Sequence, residues 1–444
     1  MGGLYIEKAD PGMIRGFNGV EFASLGAGID RSWRKGNAMP QTIADALVVV
    51  FTYGVSLRTW QDTGGISREL ALYCALAPKY DKIVLFTYGG PGDEEILNKA
   101  ISPDLRDKFV LICNASRQDT SVYSSNAPSL VKAALPNAER VVIKTNQMAG
   151  GHVAARITPY LRSFGMKVGL VARGGYLWSR MTAYEHGTAS KQAIDAAAIE
   201  KELCSAANVV VGTTQSMVDD LAWRYMIDPS RTRLIPNYVV EPELEPKSAC
   251  DRTQGLILYA GQLVKRKRVD VLIDAVAQME PESRAKVMLE IIGDGPELET
   301  LSAQAQTLGV PVTFRGRLPH EELARRMNEC SIYVQASELE GHPKTVLEAM
   351  AMGAPCVVAN SPGLGDVVMH GATGLRIPLD PEAFSRAITE MIADPDWRDV
   401  LGSGAARVVH ASLGLAATLP KEIEAHQYAL HHATAAVPSL RMTM

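Results

Sequence analysis

Between Ser337 and Glu348 the chain reads SELEGHPKTVLE, which sets three carboxylates, a histidine and a lysine around one proline. The apolar run before it suits a strand and the apolar periodicity after it a helix, so this segment is predicted to carry the chain from one into the other. Pro343 fits the first helical position, where its missing N–H would be unbonded anyway, and the amides of Lys344, Thr345 and Val346 then point forward. Free amides at the positive end of a helix dipole form a seat for phosphate. Glu340 stands in the loop ahead of the helix and Glu348 lies about one and a half turns into it. Phosphate repels a carboxylate, so the two glutamates are expected to grip neutral hydroxyls on either side of a bound diphosphate. Ribose and sugar hydroxyls are the obvious candidates. Ordinary helix-start glutamates stabilised by the dipole are the competing account.

The elements that must position this segment come from the pattern around it. From Ala46 onward short β-rich runs alternate with longer amphipathic ones, as in βαβ units building a parallel sheet. Strands are predicted at Leu47–Thr52, Ile83–Thr87, Val110–Cys113, Val141–Lys144, Val168–Ala172 and Val209–Val211, with helices such as Gly64–Leu76, His152–Phe164 and Ala189–Ala206. Residues 241–253, polar and proline-containing, read as an exposed linker. Alternation then restarts, with strands at Leu256–Ala260, Met288–Ile292, Val312–Phe314, Ile332–Gln335 and Cys356–Ala359. Helices are expected at Val269–Met279, Glu297–Leu308, His320–Glu329, Pro343–Met352 and Pro381–Ile392. Two α/β domains follow, residues 45–243 and 254–410, each a doubly wound Rossmann-like sheet. Residues 1–44 form an irregular lead-in without a clear period. In such sheets ligands bind beyond the carboxyl ends of the strands, which is where the segment from Glu340 to Glu348 would lie.

Bulk properties remove several function classes. The chain has 444 residues, enough for at least two cores. Its net charge of −4 offers no whole-molecule attraction to nucleic acid. The six cysteines are widely spaced without a C-x-x-C pair, which suits reduced thiols in a cytoplasmic protein better than a disulfide or zinc framework. No run reaches the ~18 apolar residues of a membrane span, and the N-terminus lacks a charged leader followed by an apolar core. Peripheral contact with the inner face of a membrane is a further expectation, through helix His152–Phe164, where Arg156 and Arg162 lie beside apolar residues. A solvated helix face competes with it.

Five segments in order, G-x-L-V-x-x-K from Gly261 to Lys267, IIGDGPE from Ile291, VTFRGRL from Val312, EGHPKTVLEAMAMGAPCVV from Glu340 and HGATGL from His370, resemble the retaining family-4 glycosyltransferases. That resemblance implies the GT-B fold, two Rossmann-like domains facing across a cleft, with a C-terminal helix near residues 419–434 packing back on the first. It implies a nucleoside diphosphate sugar as donor substrate, no metal and no cofactor. Lys267 would hold the donor phosphates, Glu348 the ribose hydroxyls and Glu340 the transferred sugar, with Lys267 and Glu340 in the catalytic set. Cationic side chains and helix amides must then offset the leaving group's charge. Gly293 and Gly295 would bring backbone close to the ligand, and the stretch Arg315–Leu318, with Arg317, would face the base. The loop PGLGD from Pro362 to Asp366 would turn its amides to the sugar, with ordinary turn chemistry the competing account. In the first domain Gly64 and Gly65 would let backbone approach phosphate and sugar. Asn237 resembles the interdomain hinge asparagine.

The chain departs from the family in two places. Gln262 stands where an arginine is usual, so Lys265, Arg266 or Lys344 is expected to supply the missing charge. Lys144–Gln147 and Arg173–Tyr176 follow strands at the mouth of the first sheet, and Arg173 stands near the place of a family histidine, which makes it a catalytic candidate. His152 and His342 are the nearest histidines by position, and His342 is counted among the donor-binding residues with Pro343, Lys344, Thr345 and Val346. The resulting expectation is a hexosyltransferase acting on a carbohydrate or lipid-linked acceptor in polysaccharide or glycoconjugate synthesis. A nucleotide-sugar epimerase or hydrolase, or a donor-binding protein without catalysis, are the rivals.

Overall fold

The computed structural model describes residues 42–240 and 244–433. Most of the lead-in and residues 241–243 and 434 therefore lie outside the described residues. Contact between segments divides the chain into two compact units, one running to Pro236 and resuming at Ala416, the other spanning Asn237–Leu415.

The first unit is built on seven parallel strands: β1 Ala44–Val50, β2 Tyr80–Phe86, β3 Phe109–Ile112, β4 Arg140–Thr145, β5 Lys167–Arg173, β6 Val209–Gly212 and β7 Thr232–Leu234. They lie in the order β3-β2-β1-β4-β5-β6-β7, and the order reverses at β1, as in doubly wound sheets. Leu47 to Val50 are all buried, so the central strand is a continuous apolar run rather than an alternating one. That is the signature of a strand covered by helices on both faces. Val48 aligns with Val84 on one side and Ile143 on the other.

The second unit has six parallel strands: β8 Thr253–Ala260, β9 Met288–Ile292, β10 Val312–Gly316, β11 Cys330–Gln335, β12 Cys356–Ala359 and β13 Gly374–Ile377, in the order β10-β9-β8-β11-β12-β13. Its core joins both faces of this sheet to the helices Val269–Ala277, Lys344–Ala351 and Pro381–Ala393.

Sequence expectation and structure differ at particular elements. Strands β7 and β13 were not predicted; both are edge strands of three or four residues. An edge strand needs no long apolar run, because one flank has no neighbouring strand. The predicted helix Gly64–Leu76 runs from Ile66 to Leu76, and a helix that was not predicted, Leu57–Asp62, precedes it, the two parted at Gly64 in the left-handed region (φ 71°). The predicted linker is not exposed throughout. Arg252 is buried and donates to the carbonyls of Met327, Asn328, Cys330 and Met352, fastening the start of β8 to two helix ends. The last helix spans Leu415–His431 and belongs to the first unit. It lies so close to β5 that a Cβ at Gly169 would meet the Ala429 carbonyl carbon at 2.6 Å. Among the described residues no helix is long and apolar enough to cross a membrane.

Candidate functional site

The loops that follow β8, β9, β11 and β12 lock to one another at the carboxyl end of the second sheet. The Gly261 amide donates to Ile292 O at 3.0 Å and the Leu263 amide to Asp294 O at 3.0 Å. Gly293, at φ 139°, has no room for a side chain because its Cβ would fall 1.8 Å from Gly261 O. Gly295 faces Leu263 O in the same way. These glycines let two loops of the protein touch.

The chain leaves β11 through Gln335 and enters helix Lys344–Ala351 at Pro343, which is the cap residue and not the first helical one. Its carbonyl accepts from Leu347 N at 3.2 Å, so the turn is properly started. The first amides of a helix have no acceptor within it, which leaves those of Lys344, Thr345 and Val346 as donors at the positive pole of the dipole. Asn237 Nδ2 donates to His342 O at 2.7 Å and holds the turn from behind, with the His342 ring buried. Glu348 is buried in the same helix.

Glu340 gathers the charged groups. Lys267 Nζ donates to its Oε1, and Arg266 Nη1 lies 3.3 Å from its Oε2 while also donating to Leu339 O at 3.1 Å. Gln335 Nε2 reaches Oε1 at 3.4 Å and Ser337 Oγ at 2.8 Å. Tyr333 OH donates onward to Gln335 Oε1 at 3.2 Å and to Ala260 O at 3.1 Å, so a polar chain runs from the sheet floor to Glu340. Burial alone would raise the Glu340 carboxyl, but the charges of Lys267 and Arg266 and the bond from Lys267 outweigh it and hold the group below its usual range. Burial pulls the Lys267 ammonium down, while Glu340 opposes that pull. Pro362 O accepts from the Glu340 amide at 3.0 Å, and Gly363, at φ 84°, sits against the Glu340 carbonyl where a Cβ would come within 2.5 Å. The PGLGD loop thus backs Glu340.

The structure brings together Lys267, Glu340, Pro343 and the amides after it, with Gln262 and Gly293 in the adjoining loops. Gln262 has its side chain exposed. Arg317 is half-exposed, 3.8 Å from Asp294, and Arg315 is held by the fully buried Glu290 at 3.1 Å. Within the basic run, Lys265 is exposed, whereas Arg268 pairs with Glu338 at 2.7 Å and Asp270 at 3.0 Å. The sequence reading missed Gln335. Its signal was a polar residue closing an otherwise apolar strand at the carboxyl edge.

The remaining candidates belong to the first unit. Gly65 caps helix Ile66–Leu76. Arg173, expected to project from the sheet mouth, is buried and pairs with Glu422 at 3.0 Å while donating to Ile235 O at 3.3 Å. Lys144 is buried likewise, 3.2 Å from the other Glu422 oxygen. Both cations answer one carboxylate that the last helix brings down on the sheet, so neither is presented for chemistry. Arg162 gives its guanidinium to Val168 O and Asn208 Oδ1, at 2.7 and 3.3 Å, which takes it from the lipid-facing role envisaged for it.

Residues 240–408 match the family described as Glycosyl transferases group 1. A D-inositol 3-phosphate glycosyltransferase of Streptomyces bingchenggensis is 29% identical over 228 residues, covering 47% of this chain and 50% of the relative. Its counterpart in Nocardioides is 30% identical over 232 residues, covering 46% and 50%. The chain therefore spans about half the length of these curated relatives. Among solved structures, sucrose-phosphate synthase from Thermosynechococcus elongatus superposes with a TM-score of 0.66 at 21% identity, over 86% of this chain and 98% of that one. Anabaena HepE in complex with UDP and glucose gives 0.65 at 18%, over 85% and 98%. These likenesses establish the GT-B fold class across both units.

Proposed function

We propose that the chain transfers a hexose from a nucleoside diphosphate sugar to a carbohydrate or lipid-linked acceptor. The observation that carries this reading is the convergence of Lys267 and Arg266 on Glu340, in the loop that runs from the carboxyl end of β11 to the helix start at Pro343. Helix amides and two cations suit a diphosphate, and the carboxylates beside them suit sugar and ribose hydroxyls. Arg266 stands in for the arginine that Gln262 replaces, since it reaches the same carboxylate as Lys267. With retention, as the family resemblance implies, the bond from the anomeric carbon to the phosphate oxygen breaks as the acceptor oxygen bonds on the same face. The acceptor proton passes to the departing diphosphate. Lys267, Arg266 and the amides at Lys344–Val346 take up the growing charge, a role that does not call for a metal.

A structural neighbour, HepE, has been solved with UDP-glucose and the curated relatives are named for D-inositol 3-phosphate, which makes these the first donor and acceptor to try. Lys267→Ala, which removes charge stabilisation of the leaving group, and Glu348→Ala, which removes the ribose grip that positions the donor, should each lower turnover by about a hundredfold or more in a folded protein. Near-normal rates in both would sink the assignment. Donor incubated without acceptor distinguishes the rivals, because an epimerase yields the epimer and a hydrolase the free sugar.

A further inference from the structure

Trp223 stands 77% exposed on the helix Gln215–Tyr225, with Met226, in the left-handed cap position, 88% exposed beside it. An indole left in water is worth explaining, because tryptophan carries one of the largest apolar surfaces of any side chain. It forms one wall of a pocket of about 310 Å³ between three helices of the first unit, Trp178–His186, Lys191–Ala206 and Gln215–Tyr225. Arg180, Arg224, Ser179 and Thr188 supply the polar lining and three alanines the rest.

The pocket is built rather than accidental. Glu200, fully buried, accepts from Ser179 N at 2.9 Å and Tyr225 OH at 2.8 Å, tying all three helices together. Asp220 takes Arg180 on one oxygen at 2.5 Å and Arg224 on the other, and Arg224 donates to Ser179 Oγ at 2.5 Å. The two guanidiniums are thereby fixed in place with part of their charge answered and further N–H donors left over, since each carries five. From Trp178 to Met226 six carboxylates stand against four lysines and arginines, which disfavours phosphate, anionic lipid and nucleic acid. An aromatic face beside planar donors and two hydroxyls matches one ligand chemistry well. A neutral pyranose lays its C–H face on the indole and offers its hydroxyls to the polar rim. The volume lies at the small end of the ~300–1,000 Å³ range of ligand sites, which suits one or two sugar rings.

We infer that this pocket binds a neutral sugar unit of a longer glycan. Its use as a grip on the acceptor rests on the sugar-transfer reading above; the binding itself does not. Maltohexaose, cellohexaose and a neutral mannohexaose, titrated without donor into the full chain, should include at least one that quenches tryptophan fluorescence saturably. Trp223→Ala should weaken that binding at least tenfold, and Arg180→Ala should weaken it with Trp223 intact. Stabilisation of both variants by a nucleoside diphosphate should equal that of the parent, which keeps this test separate from that of the donor site. Binding of none of the three, equal binding by Trp223→Ala, or Trp223-dependent capture by phosphatidylglycerol vesicles in place of oligosaccharide would overturn the proposal.

Discussion

Lys267 and Arg266 share a single carboxylate, so a phosphate arriving beside them competes with Glu340 for both. Removing that competitor separates binding from chemistry. Glu340→Gln should tighten the nucleoside diphosphate product by roughly three- to tenfold, since it removes the negative charge that Lys267 and Arg266 share. Turnover should fall over the same change, because the hydroxyl grip is lost. Calorimetry with UDP, ADP and GDP beside initial rates reads both, and weaker nucleotide binding in the variant would show that Lys267 and Arg266 do not face phosphate. Arg268 poses a different residue-scale question. It holds φ 48°, where a side chain crowds the backbone by about 1–2 kcal/mol. Its pairs with Glu338 and Asp270 are partly exposed, which limits them to about 1 kcal/mol at most. Arg268→Gly should thus leave Tm nearly unchanged, whereas Arg268→Ala, keeping the strain and losing the pairs, should be less stable than either. Equal Tm for the glycine and alanine variants would refute that account.

At the scale of elements, the helix Leu415–His431 carries a buried charge cluster that no single stretch of sequence announces. Glu422 faces Lys144 on β4 and Arg173 on β5, with His426 one turn along, 3.6 Å away, and Tyr80 on β2 bonded to His426 at 2.8 Å. Burial would raise Glu422, but Lys144, Arg173 and His426 bring it down to about 2 from 4.5. Burial brings His426 down to about 4 from 6.5, with Glu422 opposing and the two cations assisting. Both folded values lie below the unfolded ones, so the unfolded chain binds protons first and stability falls as pH falls. His426 sets the fall between pH 6.5 and about 4, and Glu422 continues it from 4.5 toward about 2. Calorimetry across this range should show Tm dropping from pH 6.5, and His426→Gln should flatten the upper part alone. Little of this was legible in the sequence. The strands of both sheets other than the edge strands β7 and β13 were, because buried parallel strands are continuous apolar runs, and so was the strand-to-helix segment around Pro343, because cap chemistry is local. Arg173 and Glu422 are 249 positions apart and Lys267 and Glu340 73, and no local pattern announces such a pair. An arginine after a strand reads as a projecting cation until the carboxylate that buries it is found.

For the whole molecule, the chain order makes the two units unequal in what they require. The second is continuous from Asn237 to Leu415, and every partner of Glu340 lies inside it. The first is interrupted, and its last helix reaches strands laid down hundreds of positions earlier, as His426 does at Tyr80, 346 residues away. Ending the chain after Leu415 would expose the face of β5 at Gly169 and leave Lys144 and Arg173 buried without Glu422. Stripping one partner from a buried pair costs about 3–5 kcal/mol, a large part of a domain's stability. The truncated protein should therefore lose protection in β4 and β5 by hydrogen exchange and become protease-sensitive through the first unit. Its second unit should keep slow exchange in β8, β9 and β11 and still be stabilised by a nucleoside diphosphate, as ligand binding to a folded site demands. Glu422→Ala in the full chain should do the same more mildly, keeping the apolar contacts of the helix. Loss of protection in both units together would mean that the second sheet depends on the first, and the continuous span from Asn237 to Leu415 would then not be a folding unit.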